Sequence, residues 1–173
     1  MNILIIGGYG FIGYRIAKFL KSKRHTVILS SSKKKIIKDK EFPIIRIRYK
    51  DYEEIKKIKK SIDAVIYCAG IGANQSEENY KLAKRINTAM AEDLAKLSIK
   101  LNIKKFIYFS TIHVYGSILS KNYKENSVLL NKHPYAKTNQ LAEKYLKKVS
   151  FNSKNTLFLI LRLSNAFGFP ITL

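Results

Sequence analysis

Residues 3–13 read Ile3-Leu4-Ile5-Ile6-Gly7-Gly8-Tyr9-Gly10-Phe11-Ile12-Gly13, and the fold follows from them. The run Ile3 to Ile6 has no polar face, which suits a parallel strand covered by helices on both sides. It enters directly a series of glycines spaced three apart, Gly7, Gly10 and Gly13. Ile12, Ile16, Phe19 and Leu20 then recur at helical spacing. A strand, a tight turn and a helix are predicted. Such a turn leaves the first amides of the helix unpaired, and with the helix dipole they attract a phosphate or pyrophosphate. Glycine triplets also occur in purely structural turns. Here the position near the N-terminus, after a buried-type strand and before an amphipathic helix, fits the dinucleotide fingerprint.

Strand and helix signals alternate along the rest of the chain. Thr26 to Leu29 is a second strand, and Ile44 to Tyr49, alternating with Arg46 and Arg48, an edge-side third. A lysine-rich helix with Ile55, Ile58 and Ile62 as its buried stripe leads to a fourth strand, Ala64 to Gly70. Residues 71–82 read as a loop into a long helix through about Leu101, marked by Met90, Leu94, Leu97 and Leu101. A fifth strand from Lys105 delivers Ser110 and Thr111 to its C-terminal end, where open α/β sheets bind ligands. Ser117 to His133 reads as an irregular loop near the site. Pro134 opens a helix with Leu141, Ala142, Tyr145 and Leu146 on its apolar side, and Leu157 to Leu163 is a sixth strand. The fold class is therefore α/β, a Rossmann-like doubly wound parallel sheet ordered 3-2-1-4-5-6, with residues 1–173 forming one domain.

Composition narrows the function classes. The chain has 173 residues, a formal net charge of +21 and one cysteine, Cys68, inside an apolar run. No disulfide framework is available and a reducing compartment is expected. Neither a membrane span nor a basic leader with a cleavage site is visible, so a soluble, cytoplasmic protein is expected. The positive charge is mostly lysine, scattered in pairs over several elements, and lacks the single stripe that nucleic-acid binding needs.

At the end of the second strand a nucleotide-binding fold contacts the adenosine ribose, using an acid for a free 2′-hydroxyl and cations for a 2′-phosphate. Here Ser30, Ser31 and Ser32 precede Lys33 and Lys34, and no acid occurs before Asp39. That chemistry leans towards NADP over NAD, with a solvated lysine loop as the alternative.

Together these segments resemble the extended short-chain dehydrogenase/reductases, the NAD(P)-dependent epimerases, dehydratases and reductases of nucleotide-linked sugars. The likeness runs the length of the chain. Gly7, Gly10, Phe11, Ile12 and Gly13 lie in a segment similar to the family's pyrophosphate loop. Asp51-Tyr52 is similar to its adenine-contacting pair, and Cys68-Ala69-Gly70 to the strand beside the cofactor. Asn87 matches an asparagine of the central helix. Phe109 to Gly116 resembles the segment carrying the catalytic Ser or Thr, which implies Ser110 beside the cofactor and Thr111 in catalysis. Leu161 to Gly168 is similar to the strand-six motif, implying Ser164 at the cofactor and Asn165 at the substrate. The resemblance also implies a C-terminal substrate lobe, largely absent here, so the chain is expected to be the N-terminal portion of a longer family member. It implies a nucleotide-sugar substrate and admits a homodimer, with neither nucleic acid nor membrane as partner. An apolar edge near Phe167, Phe169 and Ile171 is expected without that lobe.

Family members pair a tyrosine with a lysine four residues later on one helix face, the charge favouring tyrosinate so that the phenolate can take a hydroxyl proton. Tyr135 matches the tyrosine, but the fourth residue on is Asn139. Asparagine can hydrogen-bond a ribose yet carries no charge. Lys137, two residues along, faces nearly the opposite side of the helix. Three readings stand: a weakened enzyme, an enzyme recruiting another cation, or a non-catalytic NAD(P)-binding module acting as a sensor or scaffold. Thr111, Tyr135 and Asn139 are the candidate catalytic residues. His113 and Tyr115 read as packing residues, His25 and His133 are isolated, and no cluster has metal-ligand spacing.

Overall fold

The computed structural model describes residues 1–32, 39–58, 62–116 and 122–166. The run Ile3 to Ile6 lies in β1 (Asn2–Ile6), between β2 (Thr26–Ser31) and β4 (Ala64–Tyr67). With β3 (Ile44–Arg46), β5 (Lys105–Thr111) and β6 (Leu157–Leu163) it forms a six-stranded sheet of order β3-β2-β1-β4-β5-β6, every pairing parallel. Both faces of β1 are covered. Ile3 and Ile5 pack with Tyr14, Ala17 and Leu29 under α1 (Phe11–Ser22), whereas Leu4 and Ile6 pack with Tyr67, Leu94 and Leu146 under the helices opposite. This is the doubly wound sheet expected from the apolar run.

Several boundaries differ from expectation, each for a local reason. β3 stops at Arg46 because the chain folds back: Arg48 and Asp51 exchange backbone hydrogen bonds around Lys50, whose φ is +62°. Residues 71–82 are largely helical, forming α3 (Ala73–Glu78) and α4 (Tyr80–Ala83), the latter started by the Asn79 side chain accepting from the Leu82 amide. The polar character of this stretch conceals two short helices. Before them, helix α2 covers only Glu53–Lys56 among the described residues, and Ile62 packs from the approach to β4. On α1, Phe19 is exposed, and the buried contact comes from the smaller Gly13 and Ala17 with Tyr14.

The long central helix widens to π geometry over Lys84–Met90 before α5 (Ala91–Lys100). Two phenols account for the wide turn: Tyr67 Oη donates to the Ile86 carbonyl at 2.6 Å and Tyr108 Oη to the Asn87 carbonyl at 3.0 Å. Carbonyls aimed at side chains beneath the helix no longer fit a regular ladder. The last helix, α6 (Pro134–Phe151), begins at the expected proline and is capped by His133, whose Nδ1 accepts from the Tyr135 amide.

On the α6 side of the sheet lies an ion pair that hydrophobic periodicity does not reveal. Glu143, 1% exposed, receives both Nε and Nη2 of Arg162 at 3.0 and 2.6 Å and the Ser110 hydroxyl at 2.6 Å. Arg162 also donates to Tyr115 Oη and to the Glu125 carbonyl, so one guanidinium ties β6, α6 and the segment after β5 together. On the other face of β6, Leu157, Leu159 and Leu161 are exposed. Residues 167–173, where an apolar edge was expected, lie outside the described residues. Among those described, no helix is long and apolar enough to cross a membrane.

Removing one partner of a buried pair strands the other charge. Glu143→Ala is therefore expected to lower stability in urea denaturation by about 3 kcal/mol. The double variant Glu143→Leu/Arg162→Met should lose clearly less than the sum of the single changes.

Candidate functional site

The turn after β1 is shaped by close approach. Gly7 has a φ of +73°, and a Cβ there would meet the Ala69 backbone at 2.7 Å; at Gly13 it would meet the Gly7 carbonyl oxygen at 2.6 Å. No other residue fits without moving α1 off the strand. The Ser30 hydroxyl accepts from the Gly7 amide at 3.1 Å and fixes the turn against β2. α1 starts at Gly10 with no side-chain cap and no acid in its first turn, leaving its N-terminal dipole uncompensated.

A cavity of about 480 Å³ opens against this turn. It brings together the expected Gly7, Gly10, Ser30, Cys68, Ala69 and Gly70, and adds Ser32, Ile47, Arg48, Ile71, Leu82, Arg85, Ile86 and Met90. Its apolar walls and glycine floor suit a flat ring system and a diphosphate. Burial pushes the Cys68 thiol up to about 12, so it lines the cavity as a neutral group.

The second half of the site is the end of β5. β4 and β5 are in register at Tyr67 and Tyr108, so Gly70 and Thr111 each stand three residues beyond that pair, at one end of the sheet. Tyr135 stands in the first turn of α6, with its phenol beside the Thr111 hydroxyl. Burial raises the phenol above its ordinary 10.0, and the Thr111 hydroxyl, donating to the phenol oxygen, offsets part of this. The His113 ring stands edge-on to Tyr135 at 6.3 Å.

Asn139 takes no part in that pair. It is buried, with Nδ2 donating to the Tyr135 carbonyl at 2.9 Å and Oδ1 accepting from Tyr108 Oη at 2.8 Å. Lys137 is exposed. Asn87, also buried, spends its amide on the strand-four exit: Oδ1 accepts from the Ile71 amide at 2.7 Å, while Nδ2 donates to the Ile71 carbonyl and Thr138 Oγ1. It shapes the cavity from beneath without lining it.

Other expected residues do not line the cavity. Ser110 faces Glu143, Tyr52 donates to Asp93 at 3.4 Å, and Asp51 is exposed beside the Arg48 turn. Ser31 and Gly13 adjoin the cavity without lining it, and Phe11 and Ile12 can contribute only from the start of α1. Ser164 and Asn165 are exposed on the coil after β6, and Lys33 lies outside the described residues. Arg48, Arg85 and Tyr108 were missed; a strand-end arginine and a tyrosine in an apolar strand look like surface and core from sequence. A larger cleft of about 620 Å³ lies between α6 and β6, lined by His113, Tyr115, Glu143 and Arg162 among others, but it does not reach the glycine turn. Among the described residues no cluster has the make-up of a metal site.

A doubly wound sheet with a glycine-floored cavity at its strand ends defines a dinucleotide-binding type of domain. Residues 3–170 match the model of the NAD dependent epimerase/dehydratase family, and the chain belongs to that family. It is 30% identical over 174 residues to a putative UDP-glucose 4-epimerase of Methanocaldococcus jannaschii, covering 96% of this chain and 56% of that protein. It is 27% identical over 164 residues to short-chain dehydrogenase/reductase family 42E member 1 of Danio rerio, covering 86% and 40%. In structure it is similar to the UDP-glucose 4-epimerase of Thermus thermophilus in complex with NAD, with a TM-score of 0.82, 22% identity, and coverage of 94% of this chain and 54% of that one. The chain thus spans about half the length of the curated relatives it matches.

With burial raising it and no cation at its side among the described residues, the Tyr135 phenol should titrate above 10.0 when followed by NMR of ring-labelled tyrosine. Thr111→Val should move it higher still, because the hydrogen bond favouring the phenolate is lost. Titration near neutrality would show that a cation reaches the phenol.

Proposed function

We propose that this chain is the dinucleotide-binding part of an NAD(P)-dependent enzyme that oxidises, epimerises or dehydrates a nucleotide-linked sugar, with Thr111 and Tyr135 receiving the sugar hydroxyl. The observation that carries this reading is the placing of Thr111, at the end of the sheet that also bears the glycine turn, beside the Tyr135 phenol. The names of the relatives support the substrate class. Gly7, Gly10 and the start of α1 would hold the diphosphate, with the small Ala69 and Gly70 letting the cofactor come close. When bound, a nicotinamide ring accepts or returns the hydride. The chain's own part is the proton: the Tyr135 oxygen, as phenolate, takes it from the substrate hydroxyl while Thr111 Oγ1 holds the same oxygens in place.

Asn139 stands where the family's lysine is expected, and Tyr108 occupies the space beside it. The pair is neutral and mutually hydrogen-bonded, so it cannot acidify the phenol. This favours slow proton transfer, and equally supports a second reading, a non-catalytic NAD(P)-binding module.

The purified chain is expected to bind NAD(H) or NADP(H) in calorimetric titration, and Gly13→Val, with its fold checked by circular dichroism, should weaken binding roughly tenfold or more by closing the cradle. Turnover of UDP-glucose should be slow or absent. Tyr108→Phe/Asn139→Lys, which opens space and restores the charge, should lower the Tyr135 titration and raise any turnover by roughly 10- to 100-fold. A lowered titration with no gain in rate would favour the non-catalytic module.

A further inference from the structure

Phe151 closes α6 with 89% of its surface exposed, more than any other large apolar residue among those described. A groove of about 430 Å³ opens between Phe151 and Leu129, with Lys144, Lys147 and Lys148 along it. Leu129 is half-buried, whereas its chain neighbours Val128 and Leu130 are exposed at 70% and 50%. On α6 the three lysines and Phe151 recur at spacings of three and four residues, so they share one helix face. Among the described residues none of these lysines is in an ion pair. Glu143 also lines the groove, but its carboxylate is buried against Arg162. Apolar side chains left in water and cations left unpaired therefore meet on one surface, and the occupant that relieves both is apolar and anionic.

We propose that this surface, formed by residues 128–130 and the second half of α6, docks on an anionic lipid bilayer. Phe151 and the apolar loop enter the boundary between headgroups and acyl chains, while Lys144, Lys147 and Lys148 meet the lipid phosphates on long stems that themselves cover apolar surface. Charge complementarity selects this occupant, the chain carrying a formal net charge of +21. The cations are lysines, compact charges without the fixed fork of arginine, which suit a mobile layer of anions better than carboxylates fixed on a protein. Val128, Leu129 and Leu130 are aliphatic and offer nucleic-acid bases no stacking platform. Sequence reading foresees no membrane partner, because the surface is assembled from a loop and a helix face and contains no span. It shares no residue with the cavity beside the glycine turn, so the proposal stands independently of the dinucleotide reading.

The test is flotation of the full chain with vesicles of phosphatidylcholine alone and of phosphatidylcholine mixed with phosphatidylglycerol. The chain should float with the anionic vesicles only, and salt at about 0.5 M should release it by screening the lysines. The sequence contains no tryptophan, so Phe151→Trp places a lone fluorophore at the end of α6, and its emission should shift to the blue on anionic vesicles. Phe151→Ser should weaken partition roughly tenfold or more, since a phenyl ring is no longer taken out of water. Lys144→Gln/Lys147→Gln/Lys148→Gln should weaken it roughly 100-fold, about fivefold for each lysine. Lys84→Gln/Lys100→Gln/Lys104→Gln removes the same charge from exposed positions elsewhere and should cost much less. Phe151→Trp, at an exposed position, carries the test should a triple variant fail to fold. Failure to float with anionic vesicles, equal losses in the two triple variants, or binding with unshifted emission would each overturn the proposal. So would tighter binding to polyglutamate or oligothymidylate than to the vesicles, which would assign the surface to an acidic protein or to nucleic acid.

Discussion

The structure depends on one steric constraint, the contact between the start of α1 and the turn that follows β1. Helix and strand approach so closely that a single added carbon at Gly13 would lie 2.6 Å from the Gly7 carbonyl oxygen, and one at Gly7 would meet the backbone after β4. The turn, the start of α1 and the backbone after β4, remote from both in sequence, are therefore held together by the absence of side chains. Packing of this kind fixes more than the turn: it sets the depth of the cavity, leaves the first amides of α1 unobstructed, and brings the ends of β1, β2 and β4 to a common rim. The apolar alternation within β1 then secures the arrangement from both faces.

Beneath the end that bears Thr111 and Tyr135 lies a different kind of organisation, a buried polar cluster with no formal charge. Tyr67, Asn87, Tyr108, Thr138 and Asn139 exchange hydrogen bonds with one another or with the backbone of the central helix. Such a cluster is stable because its members are paired, and the same pairing makes it resistant to piecemeal change. A lysine at position 139 would have to displace the Tyr108 hydroxyl, leaving that phenol searching for another acceptor beside the Asn87 carbonyl. The neutral asparagine and the strand tyrosine are best understood as one unit. The widening of the central helix belongs to it too, since the carbonyls of Ile86 and Asn87 are the acceptors of the two phenols.

What could be read from sequence divides along this line. The glycine turn, the strands and the start of α6 were legible because each rests on local pattern: apolar runs, fixed spacing, and a proline at the first helical position, whereas Thr111 and Tyr135 were named from the family resemblance. Features made by contacts distant in sequence were not. Glu143 reads as one more solvated charge of a helix, yet it is buried against Arg162 of β6. Arg46 reads as the outward position of an alternating edge strand, yet part of its guanidinium is buried. Asn87 was expected at the cofactor and instead braces Ile71. Asp51 and Tyr52 were placed by analogy with a pair that follows strand three; here the chain doubles back at Lys50, and neither lines the cavity, although Asp51 is hydrogen-bonded to Arg48, which does. Polar residues mislead more often than apolar ones because their environment is set by partners and not by period.

Seen along the groove, charge is distributed unevenly. At the end near Tyr135, where a cation would assist proton transfer, the described groups in hydrogen-bonding contact are a threonine and a neutral amide cluster. At the end near β2 and β3, Arg48 and Arg85 line the cavity. A dinucleotide lying in this groove would meet its electrostatic attraction at the adenosine and diphosphate end, where binding is decided, and little at the nicotinamide end, where chemistry is decided. Interactions of the first kind are felt equally by ground state and transition state, so they raise affinity without raising the rate of a chemical step. Among the described residues, surplus charge at one end and its lack at the other both favour the proposed reading of a site that holds a cofactor more than it drives a reaction.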